Sequence, residues 1–140
     1  MNEQNKELLL KDLSSRLSHG VFCVGITYEL DDDGERYIPV KVKDTLTEIH
    51  NYKLETASVR LGLISSCKLE TVKPYLRPMS SMTEEERKIY AKLLFADLGG
   101  VYEDYYKALD YLNAHYFDYR GLIERGLAIE VTEDNNPYKE

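Results

Sequence analysis

Between Lys73 and Glu86 the chain reads KPYLRPMSSMTEEE, and the hydrophobic period changes across this stretch. Upstream, β-branched and aromatic residues gather in short runs; downstream, apolar residues recur at helical spacing. Strands followed by helices confine the chain to an α+β architecture. Pro74 and Pro78 bracket Tyr75, Leu76 and Arg77. Proline lacks an amide and fixes φ, so the segment reads as a poor central strand and as a stiff crossing over a sheet edge. Tyr75 and Arg77, an aromatic body and a forked guanidinium, are secondary candidates for contact with a partner. Thr83 followed by Glu84, Glu85 and Glu86 predicts a helix start: the hydroxyl caps free amides, Glu86 completes a capping box, and the acids favour the positive helix end.

A single α+β domain over residues 1–140 is the expectation for 140 residues, since a chain of this length buries one core. The carboxyl-terminal EDNNPYKE, residues 133–140, has the composition of a frayed end. Leu9, Leu13 and Leu17, with Leu10 beside them, predict an amino-terminal amphipathic helix whose remaining surface carries Lys6, Glu7, Lys11, Asp12 and Arg16. Ser18, His19 and Gly20 end it. Val21 to Leu30 and Tyr37 to Val42 flank the acidic turn DDDG and predict a hairpin. Glu29, Asp31, Asp33 and Gly34 imitate the first half of a calcium loop. Arg36 and Val40 then stand where an apolar residue and a closing Glu are required, so the reading is a tight turn.

Further strands are predicted over Thr45 to His50, Ala57 to Ile64 and Cys67 to Val72, with corners at Asn51 and Tyr52 and at Ser65 and Ser66. Together they predict a small curled antiparallel sheet or an SH3-like barrel, followed by carboxyl-terminal helices. The first of these carries Ile89, Leu93 and Ala96, broadened by Tyr90 and Leu94, and stops at Gly99 and Gly100. The next runs from Val101 to Phe117 with Tyr105, Leu109, Leu112 and Tyr116 on one face. Beyond it, Phe117, Leu122, Ile123, Leu127 and Ile129, with Val131 as a further candidate, are the expected anchors of a compact clasp.

Eighteen basic against 25 acidic residues give a net charge of -7, which opposes a cationic surface for nucleic acid or anionic lipid. Cys23 and Cys67 sit in apolar, strand-like sequence and read as reduced core thiols. The amino-terminal MNEQNKELLLKDL is unlike a signal peptide, and no run approaches a membrane span, so a cytoplasmic protein without membrane contact is expected. His19, His50 and His115 share no metal-ligand spacing. Nucleophile-elbow, phosphate-loop and dinucleotide motifs are missing from the sequence, and no catalytic residue, metal or cofactor is assigned.

Twelve tyrosines are many for this length, and tyrosine serves both packing and interfaces. The leading reading is a non-enzymatic protein that binds an unidentified protein through the aromatic end of the last helix, with Tyr116, Phe117, Tyr119 and Arg120 in contact and Asp118 orienting Arg120. The alternatives are a nucleic-acid-binding module using Lys68, Lys73 and Arg77, and a hydrolase whose catalytic groups meet only in the fold. ELLLKDLSSRL, KPYLRPMSSMTEEE and YLNAHYFDYRGLIERGLAIE together resemble a group of uncharacterised proteins encoded by phages and prophages of Bacteroides and related gut bacteria. That resemblance implies an accessory role in a phage or prophage and carries over no activity, cofactor or site residue.

Overall fold

A computed structural model describes residues 1–50, 53–95 and 101–139, the side chains of 101–105 excepted. The corner at Asn51 and Tyr52, the stripe position Ala96, the helix stop at Gly99 and Gly100 and the side chain of Tyr105 lie outside the described residues.

Helix α1 spans Glu3–Arg16, opened by the Asn2 side chain, which accepts the Asn5 amide at 2.7 Å. A short 3-10 turn follows, and Gly20 closes it at φ 66°, a conformation that costs glycine nothing. Leu9 and Leu13 are fully buried, as the leucine face demands. Asp12 and Arg16 depart from expectation: they too are fully buried. Arg16 bonds Asp12 through Nε at 2.9 Å and Nη2 at 3.1 Å, and Nη2 also donates to the Phe117 carbonyl at 2.6 Å. Spaced four residues apart, the two charges satisfy each other beneath the carboxyl-terminal segment instead of facing water.

Strands β1 (Phe22–Leu30) and β2 (Tyr37–His50) form the expected hairpin; the run expected as a separate strand at Thr45 is the continuation of β2. The Asp31 carboxylate accepts the Glu35 amide at 3.0 Å and shapes the turn. Strands β3 (Ser58–Leu61) and β4 (Ser65–Lys68) are shorter than anticipated, because the chain turns at residues 62–64 and not at the serines. Strand β5 (Lys73–Pro78), helices α2 (Glu84–Phe95) and α3 (Val101–Ala114), and two-residue strands β6 (Phe117–Asp118) and β7 (Ile129–Glu130) complete the chain.

The seven strands make one mixed sheet in the order β4-β3-β2-β1-β5-β6, with β7 also on β5; β6 and β7 run parallel to β5. This is an α+β fold with an amino-terminal helix and carboxyl-terminal helices, but the expected SH3-like barrel is not formed. Among the described residues β4 ladders only with β3. It lies instead across the face of β1, where a Cβ on Gly25 would meet Cys67 Sγ at 2.9 Å, so the sheet curls by packing and does not close by hydrogen bonding.

The KPYLRP segment also corrects its reading, for β5 lies inside the sheet. Val24 faces Lys73 and Cys23 faces Pro74. Asp31 N–H donates to Arg36 O and Leu46 N–H to Val21 O, which assigns the odd residues of β1 to bonds with β2 and turns the even ones toward β5. Pro74 therefore occupies a position where no amide is asked for. Its strand then passes to new partners: Arg77 N–H donates to Tyr116 O, and Leu76 O accepts Val131 N–H.

Helix α3 ends at Ala114, short of the expected Phe117, because Tyr116 takes φ 63° and the chain turns into β6. In α2 Ile89 is exposed, and Tyr90 packs against the small core cluster made by Met82, Leu112 and Phe117. Of the expected clasp anchors, Leu122 and Leu127 enter the main core, Ile123 packs against it and Phe117 joins the smaller core, whereas Ile129 is half-buried and lines a surface groove; the Asp118 carboxylate accepts the Leu122 and Ile123 amides at 2.9 Å. No helix among the described residues is long and apolar enough to cross a membrane.

Candidate protein interface

The residues proposed from sequence at the end of α3 have their side chains engaged within the fold. The Tyr116 hydroxyl donates to His19 O at 2.7 Å, and its ring stacks on Tyr138. Phe117 is fully buried under the Arg77 guanidinium, 4.2 Å from its ring centre. The Tyr119 hydroxyl donates to Asn113 Oδ1, and Arg120 bonds Asp12 Oδ1 and Ser15 Oγ, both at 2.9 Å. Asp118 does not orient Arg120, since its oxygens cap the clasp.

Tyr75 is buried edge-on to Phe22. Arg77 donates to both Glu86 oxygens, at 2.8 and 2.7 Å, and to Ser81 O. Hydrogen bonding from Arg77 outweighs desolvation and, with the Thr83 amide of the capping box, holds the Glu86 carboxyl down at about 2. Arg77 and Tyr116 do share a wall, bordering with His115, Asn136 and Tyr138 a cleft of about 310 Å³. The expected trio of Lys68, Lys73 and Arg77 is not assembled: Arg77 is taken by Glu86, and Lys73 lines a different groove, without Lys68.

Cys23 and Cys67 are free and buried, and burial pushes both thiols up, away from the reactive thiolate. Among the described residues no group of His, Cys, Asp and Glu side chains could hold a metal ion.

The surface that remains uncommitted is the β1–β2 hairpin beyond the point where β5 leaves it. The β1–β5 ladder stops at Val24, and the Ile26 amide is taken by Thr71 Oγ1 at 3.2 Å. By the alternation of bonds along β1, Tyr28 and Leu30 then direct their amides and carbonyls outward, with no strand beside them among the described residues. The tip of the same arm is exposed: Tyr28 by 55%, Leu30 by 52%, Tyr37 by 70% and Ile38 by 43%. Tyr28, Leu30 and Tyr37 share one face, since Leu30 faces Tyr37 and Tyr28 faces Pro39 across the ladder.

Toward the base of the arm that face carries a groove of about 500 Å³, lined by Val24, Gly25, Ile26, Pro39, Lys41, Thr71, Lys73 and Ile129. Lys43 lies next to it, its ammonium 5.0 Å from the centre of the Tyr75 ring. Lys41, Lys43 and Lys73 form no ion pair among the described residues, and the chain as a whole is acidic. Sequence reasoning identified this hairpin but not its exposure, because the pattern of β1 does not say where β5 will depart.

Comparison with protein-family models, with curated proteins and with solved structures found no match. The resemblance to phage and prophage proteins of Bacteroides accordingly has no support.

Proposed function

We propose that this protein is a non-enzymatic binding module that takes an extended polypeptide segment onto the free margin of β1. The observation that carries this reading is the run from Tyr28 to Leu30, where backbone groups without a strand partner among the described residues border an exposed apolar face and a lysine-lined groove. Strand addition draws affinity from main-chain hydrogen bonds and selectivity from pockets that alternate along the margin. Here the pockets select apolar side chains near the tip and acidic ones near the base. Leu63 and Ile64 are also exposed, but they stand at the tight turn between β3 and β4 and offer no such margin.

A synthetic peptide of alternating valine and glutamate, titrated into the isotope-labelled protein, tests the reading. Amide shifts centred on Ile26, Tyr28 and Leu30 are expected, weakened by salt and lost in Leu30→Pro. Proline there removes an outward amide and leaves the bonds to β2 intact. Shifts confined to the α2–α3 side, or none at all, would overturn it.

A further inference from the structure

We infer that the segment received by this margin is the same margin of a second copy of this chain. The inference rests on the strand-addition reading above and names its occupant.

The argument is one of self-complementarity. A twofold interface brings a patch onto itself, so what lies on one side of the axis must match what lies on the other. Laid antiparallel, two β1 margins can place Tyr28 of one protomer opposite Leu30 of its partner, and Leu30 opposite Tyr28. These are the residues whose backbone groups point outward, so each pair can exchange both N–H···O=C bonds. Aromatic against aliphatic is a favourable cross-strand pair, and Tyr37 flanks it on each side.

That register decides where the acidic turn goes. With Tyr28 opposite Leu30, the turn that follows Leu30 carries Asp32 and Asp33 toward the base of the partner's arm, where its groove lies. Gly25 and Ile26 line that groove together with Lys41 and Lys73. Asp31 is held by its own turn, whereas Asp32 and Asp33 form no ion pair or side-chain hydrogen bond among the described residues. Each copy thus supplies acids without cations at the tip of the arm and, at its base, cations without acids among the described residues. The antiparallel register brings the two sets together twice. Two molecules of net charge -7 repel at a distance, so a pairing that sets carboxylates on ammonium groups is the arrangement in which local charge opposes the overall field.

Sedimentation velocity over a concentration series tests this with the intact chain. The mass is expected to rise from 16.2 kDa toward twice that value. The charge reversals K41E/K73E and D32K/D33K should each weaken self-association by about tenfold or more. Mixed in equal amounts, the two variants should regain it, because each then offers the charge that the other has lost. The mixture keeps the test informative where a single variant is destabilised, and circular dichroism of each variant checks its fold. A chain that stays monomeric throughout, or a dimer indifferent to the reversals and to Leu30→Pro, would overturn the inference. If the chain is monomeric and the valine–glutamate peptide still shifts the β1 margin, self-pairing fails and the strand-binding reading stands; if the peptide also fails, both fall.

Discussion

The rings of Tyr116 and Tyr138 lie stacked, with centroids 3.7 Å apart and planes 6° from parallel. Tyr138 belongs to residues 133–140, the stretch whose composition suggests fraying, yet its hydroxyl accepts the Phe22 amide at 3.0 Å and donates to Tyr75 O at 2.8 Å. The hydroxyl thereby stands in for a rung between β1 and β5 where the two strands part. Removing residues 133–140 is therefore expected to cost about 2–4 kcal/mol in chemical denaturation. Tyr138→Phe keeps the stack, leaves an amide and a carbonyl unmatched, and should cost about 1–3 kcal/mol.

Burial raises the Tyr138 phenol above its ordinary value of 10.0. The folded-state value is the higher one, so the stabilisation is complete below the unfolded value and is lost as pH rises above it. Wild-type stability should fall on the alkaline side more steeply than that of Tyr138→Phe, as followed by urea midpoints between neutral and strongly alkaline pH.

At the acid end the governing group is Glu86, ordinarily near 4.5 and held at about 2 by Arg77 and the Thr83 cap. Here the folded-state value is the lower one. Its contribution is complete above the unfolded value and is lost as pH falls from 4.5 toward 2. Glu86→Gln should be less stable than wild type at neutral pH, and the two melting temperatures should converge toward pH 2.

Asp12 and Arg16 are fully buried, and the Arg16 Nη1 atom has no hydrogen-bond partner among the described residues. Asp12→Ala would leave the Arg16 guanidinium buried without its acid and withdraw the Asp12 oxygen that Arg120 uses; a loss of about 3–5 kcal/mol is expected. Replacing both partners, as Asp12→Leu with Arg16→Met, should cost clearly less than the sum of the single changes. A double-mutant cycle by urea denaturation measures the difference.

Gly25 sets how closely β4 lies on β1. Gly25→Ala places a methyl group 2.9 Å from Cys67 Sγ and 3.2 Å from Leu61 Cδ1, and should cost about 1–3 kcal/mol. Adding Cys67→Ala removes the sulfur and should recover part of that loss, which equilibrium unfolding of the three variants would reveal.

The features legible in the sequence were those encoded within a few residues of one another. Thr83 and Glu86 form their reciprocal cap, and Gly20 ends the first helical segment. The turn after β1 closes on Asp31, and the leucines of α1 enter the core. The misread features depend on distant partners. Pro74 reads as a strand breaker until the pairing of Val24 with Lys73 fixes which positions of β5 need an amide. Asp12 and Arg16 read as solvated until the Phe117 carbonyl arrives from 101 residues away. The aromatic end of α3 suggests a surface, but Tyr116 and Tyr119 turn their hydroxyls to His19 and Asn113. The candidate margin is of the same kind, for Tyr28 and Leu30 look like any half-buried strand until β5 is seen to leave β1 at Val24.

Pro39 lines the groove, and it also stands on the outer side of β2, where the alternation fixed by the Asp31 and Leu46 amides turns its ring nitrogen away from β1. A hairpin with both sides free is a template for unlimited growth: each molecule added on one side exposes a fresh side for the next, and the product is a fibril. With no proton to give at Pro39, the β2 side interrupts any strand laid along it, and the arm is adhesive on the β1 side alone. Growth through the arm then ends once that side is filled, so a single proline keeps the particle finite.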